Sequence, residues 1–387
     1  MATQQVAVVG GGAVGVTAAR DLAADGAAVR LFERGSLAAG SSGRAAGICY
    51  DAVADRIDAA VAGAAMEQFR SLADETRFSF TDRPYVWLAR DGDEVRAEAI
   101  EEQVPRMQKR GRDVALVEPT ALADRFPALR TDDVAVAAIA HDAATTDPAI
   151  YTEVVGEQAR AAGATIETTT EVSLAAGPVV STPSGDEQFD AVLVAAGAHT
   201  RSLLAAVDVP VPVKAYRVQA LVTEPAAASG ETPILYDATS GFYCRPRDGG
   251  FLVGDGTEER DFDPDDWDRT ADEAFVTSAL DRLGAALSRD VDRPAADRAW
   301  AGLCTATPDR DPLVGQVAPG LFVAVGWHGH GFMRAPALGA AVARDIRERV
   351  DGSTDSDDWV SDALDAFDPN RFDGDEEFAV VEGMTVE

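Results

Sequence analysis

Gly10, Gly12 and Gly15, spaced G-x-G-x-x-G, together with Glu33, 18 positions beyond the last of them, are the residues whose types and spacing most directly specify chemistry. Gly10 permits a tight turn, Gly12 lets the backbone approach a pyrophosphate, and Gly15 lets a following helix pack close to the preceding strand. Ala13 and Val14 then fall at the start of that helix, where amides without intrahelical partners and the helix dipole favour phosphate. Glu33 can accept both ribose hydroxyls of an adenosine. The expected chemistry is the binding of a dinucleotide; a glycine turn in an ordinary α/β protein leaves the placement of Glu33 unexplained.

The neighbouring segments supply the elements that position these residues. Val6 to Val9 is a valine-rich run of the kind buried on both faces of a parallel sheet, Val16 to Ala24 has a helical pattern, and Ala28 to Phe32 is a second apolar strand that delivers Glu33 to its end. Small residues fill Gly35 to Ile48, which lets main chain lie against a flat ring system. A helix is expected over 50–75, a strand over 84–88, a charged helix over 93–110 and an apolar strand over 134–139. Thr146-Asp147-Pro148 starts a helix to Ala162, and Gly163 to Ile166 starts a strand, as in the crossover of a nucleotide-binding fold. Phe189 to Gly197 is another buried strand ending in small residues. Between Val211 and Leu252 the pattern changes to alternating strands, with Asp248-Gly249-Gly250 marking a hairpin, followed by a helix over 271–287.

With 387 residues the chain is long enough for two domains. Its 66 acidic residues face 34 basic ones, a net charge of -32, and of the basic residues Lys109 and Lys214 alone are lysine. Such a field repels nucleic acid and anionic lipid. Abundant Asp, Glu and Arg with little lysine suggest a protein of a salt-rich cytoplasm. Cys49, Cys244 and Cys304 lie far apart, and His141, His199, His328 and His330 are scattered, so neither a disulfide framework nor a metal centre is indicated. No apolar run reaches membrane-spanning length and the first strand begins almost at once, so no transmembrane segment or signal peptide is expected.

Those opening segments resemble the D-amino acid oxidase superfamily of FAD-dependent enzymes, and later segments extend the resemblance to residues 5–372. Trp300, Gly302, Thr307-Pro308-Asp309 and Pro312-Leu313-Val314-Gly315 resemble one family motif. Gly326-Trp327-His328-Gly329-His330-Gly331-Phe332-Met333 is similar to the flavin turn of the sarcosine oxidase and amino acid dehydrogenase branch. The resemblance implies an α/β fold: a Rossmann-like FAD-binding domain (GR2-type) built from residues 1–75, 141–207 and 298–372, and a second mixed-sheet α+β substrate domain from 76–140 and 208–297. Residues 373–387 are expected to form an acidic tail. Noncovalent FAD would be held by Gly10, Gly12, Ala13, Val14, Gly15, Glu33 and Arg34, and by Ser41, Ser42, Arg44, Ala45, Ala46 and Gly47 of the small-residue stretch. Val172, Ala196, Gly197, Gly302, Gly329, His330, Gly331, Phe332 and Met333 complete the implied cofactor site.

The implied reaction is oxidation of the C–N bond of an amino acid or N-methyl amino acid to an imine, hydride passing to flavin and then to a quinone or electron-transfer protein rather than to oxygen. Its residues would be His330, Met333, Cys304, Arg245, Arg44 and Tyr243. Two departures from the family matter. Met333 stands where sarcosine oxidases carry an oxygen-activating lysine, and Cys304 stands where D-amino acid and glycine oxidases carry an arginine for the substrate carboxylate. Arg44, Arg217 and Arg245 are the replacement candidates, each alternatively a surface arginine or part of an internal ion pair. If protonated, His330, or else Arg334, would offer oxygen another cation. Tyr216 and Tyr243 lie on strands where they face either substrate or core, and His199 reads as a turn residue. The alternatives are a glycine or sarcosine type oxidase that makes hydrogen peroxide, and a flavin-carrying subunit of an electron-transfer complex, which calls for an exposed apolar face.

Overall fold

Two sheets divide the chain in the computed structural model, which describes residues 3–254, 256–352 and 358–381. The first runs in the order Leu313–Ala318, Leu321–Val325, Ala191–Val194, Gln5–Val9, Ala28–Phe32, Thr165–Glu167. All its neighbours are parallel except the outer pair Leu313–Ala318 and Leu321–Val325. Val6, Val8, Ala191, Leu193, Phe322 and Ala324 pack on one side, and Ala7, Val192, Val194, Val323 and Val325 on the other, which is why these strands read as continuous apolar runs.

Three helices cover one face. Ala13–Ala24 packs against Pro148–Ala161 and Gly331–Asp351. A Cβ on Gly339 would lie 2.7 Å from the Cβ of Thr17, so the crossing with the C-terminal helix depends on that glycine. The Asp147 carboxylate caps Pro148–Ala161 by accepting from the Ala149 and Ile150 amides.

The second sheet runs Ala296–Ala306, Lys214–Thr223, Gly250–Gly254, Phe242–Arg247, Ile234–Asp237, Tyr85–Arg90, Val134–Ala140, Val114–Leu116. It is antiparallel except between Ile234–Asp237 and Tyr85–Arg90. Asp248 and Gly249, both at positive φ (54° and 79°), form the two-residue turn of the hairpin between Arg247 and Gly250. Helix Glu273–Ala286 covers the apolar side through Ala279, Leu283 and Ala286.

Three features differ from the sequence expectation. Ala296–Ala306 includes the start of the segment assigned to the first domain from residue 298, yet it pairs along its length with Lys214–Thr223 of the second sheet. A small antiparallel sheet links the domains through Ile48–Tyr50, Ala143–Thr146 and Phe80–Asp82. The acidic tail is tethered where it is described: the Lys214 ammonium donates to the Phe378 carbonyl at 2.6 Å, and Val380 is buried against Tyr216 and Ala306. The rest of that tail, residues 382–387, lies outside the described residues.

Candidate active site

A cavity of about 770 Å³ lies between the two sheets, and the glycine turn opens into it. Gly10 has φ of 118°, and a Cβ there would sit 2.3 Å from the Ala195 carbonyl oxygen, so only glycine closes this turn. Gly15 does not line the cavity: a Cβ on it would stand 2.0 Å from the Gly10 carbonyl, and its part is to let helix and strand meet. Gly12, Ala13 and Val14 do line it. Gly12, at the helix N-cap, offers no side-chain cap, and the Ala13 amide donates to Ser42 Oγ at 2.9 Å. The Glu33 carboxylate also lines the cavity, oriented by the Gly11 and Gly35 amides at 2.7 Å each.

The small-residue stretch contributes Ser41, Ser42, Arg44, Ala45, Ala46 and Gly47 to the wall, Arg34, Ala196 and Gly197 join from the ends of first-sheet strands, and Val172 joins from the segment that follows the strand Thr165–Glu167. Tyr243, Gly302 and Cys304 face in from the second sheet, and Gly329, His330, Gly331, Phe332 and Met333 close one end. Regular spacing explains the second-sheet wall: Trp300, Gly302 and Cys304 alternate along one strand, opposite Ala220, Val218 and Tyr216 of the next.

Two arginine assignments are corrected. Arg245 does not line the cavity; its guanidinium donates to the carbonyls of Ala46, Thr146 (3.0 Å) and Pro246 (3.1 Å), and burial pushes its pKa down to about 10. It ties the small-residue stretch to the second sheet instead of awaiting a carboxylate. Arg217 is buried in an ion-pair cluster with Glu258 and Asp272 and also donates to the Asp268 and Thr270 carbonyls. Long side chains on a strand read alike in sequence whichever face they occupy; the pleat turns Arg217 away from its cavity-lining neighbours Tyr216 and Val218, whereas Arg245 shares the face of Tyr243 and is taken up by the carbonyls of Ala46 and Thr146. Arg44 remains on the wall, donating to the carbonyls of Ala39 and Gly40 (2.9 Å).

The turn at the closed end carries no charge. His330 caps helix Gly331–Asp351, and burial, reinforced by the nearby Arg334 and His328, lowers its pKa to about 3. His330 Nε2 lies 3.3 Å from the Tyr50 hydroxyl, which burial pushes up to about 12. His328 is buried, sits at φ 43°, and takes the Thr307 amide on Nε2 at 2.7 Å; burial and then Arg334 and Arg310 lower it to about 4. Arg334 itself is locked on Asp58 at 2.6 Å and does not line the cavity. Neither His330 nor Arg334 therefore supplies the alternative cation raised from the sequence. Met333, 6% exposed, presents a thioether.

Several lining residues were not singled out from the sequence. Tyr50 is placed by the strand Ile48–Tyr50 and touches Tyr85 edge-on at 5.0 Å between ring centres. Asp265, Trp267 and Arg269 come from an acidic segment after the second-sheet hairpin, where Asp265 pairs with Arg34 (3.3 Å) and His199 (3.0 Å). No periodicity marks that segment, so only its folding over the cavity reveals it. His199, read as a turn residue, lines the cavity as well.

The chain matches the DAO family, described as FAD dependent oxidoreductase, over residues 5–344. It belongs to that family. Glycine oxidase of Geobacillus kaustophilus is 26% identical over 368 residues, which cover 90% of this chain and 94% of that enzyme. Mitochondrial dimethylglycine dehydrogenase of Homo sapiens is 26% identical over 95% of this chain, which spans 44% of the human protein's length. Among solved structures, L-proline dehydrogenase from P. horikoshii superposes with a TM-score of 0.82 at 25% identity, covering 95% of this chain and 97% of the other. The glycine oxidase of Geobacillus kaustophilus shares the fold with a TM-score of 0.81 at 23% identity.

This family member is thus an FAD-dependent oxidoreductase. Its residues fit the cofactor. The cavity runs from the glycine turn and Glu33 to the His330 turn, and the cradle between them is built of residues too small to fill it. Among the described residues no helix is long and apolar enough to cross a membrane.

Proposed function

We propose that the protein oxidises the C–N bond of an amino acid or N-methyl amino acid and delivers the electrons to an acceptor other than oxygen. FAD, when bound, supplies the hydride acceptor. The residues of the chain would bind and orient: Glu33 the adenosine ribose, the Val14 amide and the Ser42 hydroxyl, which accepts from the Ala13 amide, the phosphates, and the Gly329–Met333 turn the ring end of the cofactor. Tyr50, Tyr85, Tyr243 and Trp300 wall the space where an amine would lie, and their ring faces suit a group that arrives as a cation. Orientation of the reacting carbon, with water displaced by these rings, is the contribution such a site makes.

The observation that carries the acceptor reading is the uncharged end of the cavity. Oxygen becomes an anion as it takes up an electron, and a fixed cation nearby stabilises that anion; a thioether at Met333 and a neutral His330 do not. The subunit reading receives no support, since the exposed large apolar side chains among the described residues are Val95 and Leu116.

Anaerobic mixing with a panel of D-, L- and N-methyl amino acids should bleach the flavin absorbance with at least one of them. The reduced wild type should then reoxidise slowly in air and rapidly with an artificial quinone, and Met333→Lys should raise the rate with oxygen tenfold or more. Wild-type reoxidation by air as fast as reduction by substrate would instead make the protein an oxidase that produces hydrogen peroxide.

A further inference from the structure

Arginines in this chain are mostly spoken for, as a net charge of -32 would lead one to expect. Arg34 at the cavity has Asp265, Arg217 has Glu258 and Asp272, and Arg334 has Asp58. Arg44 and Arg269 are different. Both line the cavity, and neither has a carboxylate within ion-pair distance among the described residues. They flank one short piece of strand: the Arg44 carbonyl accepts from Trp300 Nε1 at 3.2 Å, the Arg269 carbonyl accepts from the Ala301 amide at 2.9 Å, and the Arg44 side chain packs over Gly302. A Cβ on Gly302 would lie 3.4 Å from Arg44 Cδ, an ordinary contact distance, so the Arg44 side chain runs directly beside this strand position. Arg269 lies exposed at the mouth beside the Trp267 ring, its guanidinium carbon 5.6 Å from the ring centre.

The two positive charges feel each other. After burial, the charge of Arg269 is the cause that lowers the pKa of Arg44. Like charges held together with no carboxylate within ion-pair distance among the described residues cost free energy that a bound anion would recover. Guanidinium groups also match the paired oxygens of a carboxylate or phosphate better than an ammonium does.

We propose that Arg44 and Arg269 form a two-arginine oxyanion site at the mouth of the cavity, separate from the helix N-terminus at Gly12. Its ligand carries paired anionic oxygens, either the carboxylate of the amino acid substrate or the phosphates of the cofactor. The carboxylate source rests on the proposed function and gives it the substrate clamp that Arg217 and Arg245 do not provide. The phosphate source rests only on the FAD requirement of the family.

The test uses the holoenzyme and the FAD-stripped protein of wild type, Arg269→Ala, Arg269→Lys and Arg44→Ala. FAD affinity is read from quenching of FAD fluorescence on reconstitution, and carboxylate affinity from the change that acetate produces in the bound flavin spectrum, with ethylamine as the probe lacking a carboxylate. Loss of acetate affinity by tenfold or more in both alanine variants, with ethylamine and FAD unaffected, assigns the site to the substrate carboxylate. Loss of FAD affinity by the same factor with acetate unaffected assigns it to the phosphates. In either case Arg269→Lys should recover part of the loss, and potassium chloride should shrink the difference from wild type. Alanine variants within twofold of wild type for both ligands overturn the proposal, as does an Arg269→Lys variant no better than Arg269→Ala. Reduction of the wild-type flavin by an amino acid is measured separately, so failure of the oxidoreductase reading is told apart from failure of this site.

Discussion

At the scale of single residues, the environment around each group decides its state. Glu33 is already oriented by two amides, so its carboxylate needs no reorganisation to accept ribose hydroxyls. Glu33→Ala should forfeit charge-assisted hydrogen bonds of about 1.5 to 3 kcal/mol each, seen as FAD released during gel filtration and a dissociation constant at least tenfold higher. The two histidines of the closed end titrate far below the ordinary value because they are buried near Arg334. Their folded-state pKa values, about 4 for His328 and about 3 for His330, lie below the unfolded value of about 6.5. Stability from keeping them neutral is fully present above pH 6.5 and is lost as pH falls toward 3, because the unfolded chain takes up protons there and the folded one does not. Asp311 acts oppositely, since burial and the neighbouring Asp58 and Asp309 raise it to about 6, so its contribution is full below about pH 4 and declines up to pH 6. Replacing His330 by Asn should flatten the fall in melting temperature between pH 6.5 and pH 4; an unchanged profile would show that His330 takes up its proton at the same pH in the folded and the unfolded chain.

Elements position these groups through contacts too close for larger residues. The helix Ala13–Ala24 reaches the strand Gln5–Val9 only because Gly15 has no side chain, and it meets the C-terminal helix only because Gly339 has none. Gly15→Ala places a carbon within 2.0 Å of the Gly10 carbonyl oxygen, so the helix must move away. Overpacking of this kind costs about 1 to 3 kcal/mol. Thermal melts should show that loss, and FAD binding should weaken with it because the helix N-terminus carries the first-turn amides. Arg245 plays a similar organising part on the other wall, where a buried guanidinium satisfies carbonyls from the Ala46 loop and from Thr146 at once.

For the whole molecule, charge is the dominant consideration. With 66 acidic residues and 34 basic ones, acidic groups stay in excess even when every arginine is paired. Their mutual repulsion is screened over about 3 Å in 1 M salt and over about 10 Å in 0.1 M salt. The melting temperature should therefore rise between tenth-molar and molar potassium chloride. Equal values would contradict adaptation to a salt-rich environment. The same acidic field makes the Arg44 and Arg269 pair at the cavity mouth a local exception, one that favours entry of an anionic ligand close to the site even though the surface around it repels anions.

The sequence by itself determined the parallel sheet, its glycine turn and the family, because those depend on local periodicity and on spacings along the chain. Val6 to Val9, Gly10 to Gly15 and Glu33 are close in sequence, so a strand, a turn and a helix place them together with little freedom. The hairpin at Asp248-Gly249 was legible for the same reason. Tertiary structure alone decided which arginines reach the cavity. Arg44, Arg217 and Arg245 are equivalent as text, yet burial against carboxylates claims Arg217, carbonyls claim Arg245, and only Arg44 keeps a face toward the cavity. It also brought Arg269 to the cavity mouth from a segment with no repeating pattern, through one backbone hydrogen bond to Ala301. Such partners lie far apart in the chain, and the free energy that selects them comes from satisfying buried polar groups in three dimensions, which no local spacing records.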